Sequence, residues 1–295
     1  MIKIEISDRN TIEKWYFESI NARKRRGIGG DSNAQEIFRY FESNMSRIVL
    51  CKAIELESVI TEFETQIKKT PKGIDAFKNY MEGQYDDFIG KYGYELATKL
   101  NVKVCPYCNR QYTSTIKKKG EKITRPQFDH FYPKSRYPYL ALSLYNLVPC
   151  CPNCNHSKGE DAISINPHIN GFGDDCRFEI DTIEECVFGN NNRNSWGIKL
   201  PDSGEHSNHI EIFALNDLYN EHKDYVEEIV FKAQAYSDNY CEDIKKFTRS
   251  LSDYVLTEKE IKLLIFGNYT HISEYSKRPL SKLTADILHQ LEILK

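Results

Sequence analysis

The chain lacks several features that would assign it to a membrane or secreted class. No apolar run approaches the roughly 18 to 20 residues that a membrane-spanning helix needs, and the first residues lack the long apolar stretch of a secretory signal. There is no internal repeat, no low-complexity tract and no phosphate-binding loop of the Gly-x-x-x-x-Gly-Lys-Ser/Thr type. We therefore expect a cytoplasmic protein without a membrane partner, in which any nucleotide dependence comes from another subunit.

The composition is that of a globular protein. The chain has 295 residues, of which 40% are hydrophobic and 28% charged, and this suits one large domain or two small ones. Dominant disorder is excluded on the same grounds. Nine cysteines are an odd number in a large chain, and four of them have metal-ligand spacing, which favours a reducing compartment over a secreted disulfide scaffold.

The net charge of −3 hides a strong asymmetry. Residues 101–160 contain ten lysines and arginines against three acids, a local charge of +7, so the remaining residues carry −10. Such a segment favours a polyanionic partner, because cationic side chains release condensed counterions when they meet phosphates. For Lys117-Lys118-Lys119-Gly120 a hairpin turn kept soluble by its charge is the alternative. Residues 23–26 are a second basic group, either a phosphate contact or a solvated loop.

Hydrophobic periodicity predicts helices on both sides of the basic segment. The spacing over residues 33–69 predicts one long helix or two consecutive helices, and a short helical stretch is predicted over 74–100 despite its glycines. Extended patterns at 128–133 and 140–148, punctuated by prolines, predict strand, loop, strand. A short helix is expected from Asn155.

These patterns together predict an α+β protein in four parts. A helical N-terminal region covers residues 1–100, and a zinc-stapled module of strands and one helix covers 101–164. A small β-rich insertion is predicted at 165–215, where turn-forming residues separate short apolar stretches. A helical C-terminal region covers 216–295.

Two Cys-x-x-Cys pairs, Cys105/Cys108 and Cys151/Cys154, predict a structural Zn²⁺ site. Four thiolates spaced two by two are the usual ligand set of a tetrahedral zinc, which supplies folding energy to a segment too short to bury its own core. Redox chemistry is the competing interpretation, but no thioredoxin-like βαβ pattern surrounds either pair. Cys150 could act as a substitute ligand only with a shift in register.

A four-thiolate zinc has no open coordination position, so any catalysis must use other residues. Phosphodiester hydrolysis needs a base for the attacking water and a cation for the developing negative charge. His130 suits the base role because its reference pKa is near 6.5. The Asp129 carboxylate and the Asn155 amide oxygen are ligands that an ion of the Mg²⁺ class prefers.

The central segment resembles the HNH, or ββα-metal, endonucleases. The residues that carry the resemblance are 105–108, 129–130, 133–134, 146–147 and 154–159. The resemblance implies a zinc-stapled ββα-metal module in which Asp129 and Asn155 bind one catalytic Mg²⁺ or Mn²⁺. It also implies His130 as the general base and Asn146 as the residue that holds the loop in place.

Three basic residues follow from the same resemblance as expected substrate contacts: Lys134, Arg136 and Lys158. The third HNH position is an asparagine here, and His156 beside Asn155 is an alternative ligand under a one-residue shift. The resemblance covers only the segment between the cysteine pairs, so the flanking regions inherit nothing from it.

A looser resemblance concerns residues 128–135 and 140–146. They are similar to bacterial HNH proteins found beside ATPases in anti-phage defence systems, such as the nuclease subunit of Septu. That resemblance implies an ATPase partner subunit and invading DNA as the substrate.

Two other functions remain open. A non-catalytic zinc-stapled module would bind nucleic acid or a protein with the same cysteines and would be indifferent to His130 and to Mg²⁺. An RNase would use the same hydrolysis, with RNA in place of DNA. Each residue also has a structural interpretation, in which His130 is hydrogen-bonded within the core, Asn146 forms a turn and Asp129 is a cap.

Overall fold

The computed structural model describes residues 1–22, 27–29, 31–188, 194–201, 204–251 and 255–294, a mixture of helices and short antiparallel sheets. The basic group at 23–26 lies outside these residues. Among the described helices, none is both long enough and apolar enough to cross a membrane.

The chain divides into two compact units. The N-terminal unit consists of Lys3–Pro106 and Thr113–Asn170, and the C-terminal unit of Met1–Ile2, Tyr107–Tyr112 and Gly171–Lys295. The division into four parts stays a prediction.

The described residues of the N-terminal unit form five α-helices: α1 (Arg9–Asn21), α2 (Ser32–Leu50), α3 (Leu56–Gln66), α4 (Pro71–Leu100) and α5 (Pro152–Lys158). The periodicity over 33–69 therefore corresponds to two consecutive helices. The stretch predicted as short is a 30-residue helix, α4. It begins at a strong cap, where the Thr70 hydroxyl accepts from the Gly73 amide, and ends at the left-handed Asn101.

The described residues of this unit also form two short antiparallel strand pairs. β1 (Ile116–Lys118) pairs with β2 (Glu121–Thr124), and β3 (Gln127–His130) pairs with β4 (Leu147–Cys150). The predicted strand at 140–148 was mostly wrong, because only its last two residues belong to a strand.

The rest of that segment consists of 3₁₀ turns at Pro138–Leu140 and Leu144–Asn146. Their amides bond to carbonyls three residues back, as in the pairs Ala141 to Pro138 and Asn146 to Ser143. Local bonding of this kind satisfies the backbone without a partner strand.

The loop between β3 and β4 is attached to the helical core of its unit. The Tyr139 ring stacks on Phe63 of α3 with ring centroids 3.8 Å apart. The Tyr16 hydroxyl of α1 donates to the Leu142 carbonyl, and a hydroxyl from the loop donates to a carbonyl near the end of α2. The helices thereby fix the loop that lies against the candidate site.

Helices also dominate the described part of the C-terminal unit: α6 (Ile183–Phe188), α7 (Ser207–Ile212), α8 (Leu215–Asn220), α9 (Lys223–Ala235), α10 (Asp238–Leu251), α11 (Glu258–Phe266) and α12 (Ser281–Gln290). In residues 165–215, the described strands are two pairs of residues, β5 (Glu179–Ile180) and β6 (Ile198–Lys199). The predicted β-rich character was therefore too strong. The Gln290 side chain accepts from the Ile180 amide and donates to its carbonyl, which satisfies a sheet edge without a further strand.

Candidate active site and metal centre

The four paired cysteines come together in space. The Sγ atoms of Cys105, Cys108, Cys151 and Cys154 all lie within 4.8 Å of one another, and all four residues are buried. Cys150 is outside this cluster, since it lies in β4 opposite Gln127.

The cluster fits a structural Zn²⁺. Zinc–thiolate bonds of about 2.3 Å in a tetrahedron place the sulfurs about 3.8 Å apart, which is compatible with sulfurs that all lie within 4.8 Å of one another. Backbone amides also point at two of the sulfurs, from Cys151 to Cys105 Sγ and from Arg110 to Cys108 Sγ, each at 3.4 Å. Such bonds stabilise thiolates, the form that binds metal.

His130 ends strand β3 and is buried, with 8% of its surface exposed. Its Nε2 lies 3.0 Å from the Ala141 carbonyl oxygen. A carbonyl only accepts, so Nε2 carries the ring proton of the neutral imidazole and Nδ1 is the acceptor. Burial lowers the pKa of His130 to about 3, with a smaller contribution from the cationic Lys134 and Lys158, and the ring is therefore neutral at cellular pH.

Asp129 precedes His130 in β3 and is 4% exposed. The ammonium group of Lys158, at the end of α5, lies 3.3 Å from each carboxylate oxygen and 2.8 Å from the His130 carbonyl oxygen. Lys158 has no exposed surface. The sequence led us to expect Lys158 at the phosphates, and the structure instead places its ammonium group on Asp129.

Asn146 connects both ends of the loop between β3 and β4. Its side-chain oxygen accepts from the Tyr132 amide at 2.8 Å, and its nitrogen donates to the Tyr132 and Leu140 carbonyls at 3.0 and 3.1 Å. Its backbone carbonyl accepts from the Phe131 amide at 2.9 Å. These bonds fix the loop that carries Ala141, the partner of His130.

A cleft of about 340 Å³ opens over these residues. It is lined by Glu82, Tyr85, Phe128, Asp129, His130, Pro133, Lys134, Ser135, Asn155, Gly159 and Glu160. Arg136, an expected substrate contact, and His156, the alternative metal ligand, are both exposed and do not line the cleft. Of the two candidate ligands on α5, it is thus Asn155 that lines the cleft.

Sequence reasoning missed the contribution of α4 to the cleft. Tyr85 donates to the Phe128 carbonyl at 3.1 Å, and its ring contacts the His130 ring edge-on at a centroid distance of 4.5 Å. Burial raises the pKa of Tyr85 well above 10, so its hydroxyl keeps its proton. Glu82 and Tyr85 are three residues apart on one helix face, but no sequence signal connected that face to a segment more than 40 residues away.

The oxygen donors of the cleft suit a divalent ion of the Mg²⁺ class. Asp129 and Asn155 would hold it, and Glu82 and Glu160 are further carboxylates of the same cleft. Mg²⁺ is usually bound by one or two carboxylates together with water and substrate oxygens, so this small donor set is sufficient. In the part of the chain that the structure describes, the cysteines are the only group of three or more His, Cys, Asp or Glu close enough to share one ion.

Comparison with known proteins finds a partial similarity. The chain is 29% identical over 91 residues to the Septu protein PtuB of Bacillus thuringiensis, which covers 31% of this chain and 33% of that protein. The chain thus matches about a third of the length of this relative. No family model matches the chain, and no solved structure matches it.

Proposed function

We propose that this protein is a metal-dependent endonuclease of the HNH type that hydrolyses DNA phosphodiester bonds. One observation carries the proposal, namely that a histidine whose Nε2 lies 3.0 Å from the Ala141 carbonyl oxygen shares a cleft with the oxygen donors Asp129 and Asn155. The order of β3, β4 and α5 along the chain also agrees with the two strands and helix of a ββα-metal module. The Cys₄ cluster includes two cysteines, Cys151 and Cys154, at the start of α5.

In this proposal His130 acts as the general base. Its Nδ1 accepts the proton of the attacking water, while the Nε2 bond to the Ala141 carbonyl keeps the ring in place. A phosphodiester in the cleft brings negative charge to the ring and thereby favours the protonated form that results. A divalent ion held by Asp129 and Asn155 would stabilise the charge on the pentacovalent phosphate and on the leaving oxygen.

We propose a role in anti-phage defence because about a third of the chain is similar to a Septu protein. An ATPase partner subunit and invading DNA as substrate belong to the same proposal. The chain has no phosphate-binding loop of its own, so a nucleotide signal would reach it through such a partner.

A plasmid-relaxation assay with and without Mg²⁺ or Mn²⁺ tests the nuclease activity. We expect metal-dependent conversion of supercoiled DNA by the parent and its loss in His130→Ala. The matched control is His168→Ala. His168 is also 8% exposed, and its Nε2 lies 2.9 Å from the Leu147 carbonyl oxygen, but it does not line the cleft. Both variants lose a buried imidazole, so only the loss of a base distinguishes them.

Zinc content and thermal unfolding are measured on all three proteins, and single-stranded RNA is included beside the plasmid. Equal cutting by the parent and His130→Ala would refute the base assignment. Cutting of RNA alone would refute DNA as the substrate. Absence of cutting on both substrates by folded, zinc-loaded parent protein would leave two alternatives, a zinc-stapled binding module or an enzyme that is latent without its partner subunit.

A further inference from the structure

The β1–β2 hairpin is a basic ribbon that projects into solvent. Every residue of the two strands is exposed, and Ile116 and Ile123 keep half or more of their surface accessible. The turn at Lys119-Gly120 has positive φ at both positions (50° and 89°), as in the tight two-residue turns that match the twist of a hairpin. A ribbon of this kind buries too little apolar surface to be explained as part of a core.

The ribbon has one favourable and one unfavourable charge pairing. Lys118 lies opposite Glu121, whereas Lys117 lies directly opposite Lys122, and like charges across a strand pair repel. Lys118 and Lys119 continue the basic run into the turn, and Glu121 is the one acid between Ile116 and Arg125. A set of cations held together on an exposed ribbon is complementary to a polyanion.

The base of the ribbon is attached beside the cleft. Lys122 Nζ donates to the Gly90 carbonyl of α4 at 2.9 Å, and the Arg125 guanidinium lies over the Tyr94 and Phe128 rings at 5.9 and 5.5 Å. A side chain at Gly93 would approach Arg125 Nε to 3.2 Å, so this glycine leaves room for the guanidinium.

Both attachment points are close to residues that line the cleft. Phe128 is itself one of them, and Gly90 follows Tyr85 by five residues of α4, about 8 Å along the helix. Three residues of extended strand separate Ile116 from Lys119 in the turn, a distance of about 10 Å. The ribbon therefore begins beside the cleft, and a duplex bound there has a cationic surface close to its point of attachment.

We infer that the β1–β2 ribbon binds the phosphate backbone of the duplex DNA substrate through Lys117, Lys118 and Lys119. The inference rests on the proposed function, since it extends the same site, and it adds the surface that would hold the duplex. These three lysines are distinct from the expected contacts within and beside the cleft.

The test replaces the three lysines by glutamine and measures binding instead of cutting. Fluorescence anisotropy with a short labelled duplex, without added divalent ion, gives log Kobs against log salt concentration. Each lost phosphate contact lowers the magnitude of the slope by about 0.9, so the triple variant should lose about 2 to 3 units of slope. Its affinity at 0.1 M salt should fall about 100- to 1,000-fold on the same basis.

The matched control is Lys14→Gln/Lys68→Gln/Lys72→Gln. It removes three exposed lysines elsewhere in the same unit, so it changes the net charge by the same amount as the ribbon variant. Its slope should stay close to that of the parent. A slope in the ribbon variant equal to that of the control would overturn the inference, and so would a parent that does not bind the duplex.

Single-stranded RNA provides the second arm. A slope change on RNA with none on duplex DNA would overturn DNA as the occupant of the ribbon. Because binding is read without cleavage, a parent that binds DNA through the ribbon but never cuts it would refute the proposed function and leave this inference standing.

Discussion

Replacing Lys158 by methionine tests how far the Asp129 carboxylate depends on a buried ammonium group. At 3.3 Å and an effective dielectric constant of 20, the two charges attract by about 5 kcal/mol before the cost of desolvation. Lys158 has no exposed surface, and its removal leaves a carboxylate that is only 4% exposed without this cation. Breaking one partner of a buried pair costs about 3 to 5 kcal/mol, and we expect that loss in the free energy of unfolding.

Urea unfolding of zinc-loaded protein measures this loss, and a double-mutant cycle isolates the pair. Methionine keeps most of the volume of the lysine stem, so the cavity contribution is small. Asp129→Asn in the Lys158→Met background removes the stranded charge and should recover most of the lost stability. The coupling energy should then be about 3 kcal/mol.

The result that would refute this reasoning is a loss below about 1 kcal/mol, the range of an exposed ion pair. If Lys158 instead contacts phosphates, Lys158→Met will lower DNA affinity and the salt slope while stability stays close to the parent value.

Two further predictions concern the zinc and the buried histidines. Cys154→Ser should abolish stoichiometric zinc binding and lower the unfolding midpoint, and Co²⁺ substitution should show thiolate charge-transfer bands in the parent only. Retention of one zinc per chain by the variant would contradict this ligand set. Burial lowers the pKa of His168 to about 4, so the unfolded chain takes up its proton near pH 6.5 and the folded protein does not. The corresponding stability, about 3 kcal/mol, is present above pH 6.5 and lost as pH falls toward 4. His168→Phe should lower the slope of the unfolding free energy against pH in that window by up to about 1.4 kcal/mol per pH unit, while His130, whose pKa is also lowered, keeps its own contribution. An unchanged pH slope would show that His168 is not one of the titrating groups.

The sequence predicted the features that depend on residues close together in the chain. The cysteine cluster forms as predicted from two Cys-x-x-Cys pairs, because each pair places two sulfurs on one knuckle. The adjacency of Asp129 and His130 on one strand followed from their position in a short extended segment. The periodicity over 33–69 correctly indicated helices, although it left the break at residues 51–55 open.

The features that depend on distant contacts could not be predicted in this way. The length of α4 was underestimated because its glycines have a high helical cost in isolation, whereas burial of Phe77 and Phe88 favours the helix in the folded protein. The strand predicted at 140–148 failed because a run of apolar residues does not distinguish strands from buried turns. The burial of Lys158 could not be predicted from its neighbours in the sequence, because the carboxylate that balances its charge, that of Asp129, lies 29 residues earlier in the chain.

The stacking of Tyr139 on Phe63 limits how far the central segment can be separated from its neighbours. The carbonyl that orients His130 belongs to a loop that also contacts α1, α2 and α3, so residues 101–164 depend on the N-terminal helices for the shape of this loop. Transplanted into another protein, the segment would keep its four cysteines and lose the helices that support the loop behind His130. Changes in the N-terminal helices therefore offer a means of tuning the candidate site without altering any residue that lines it.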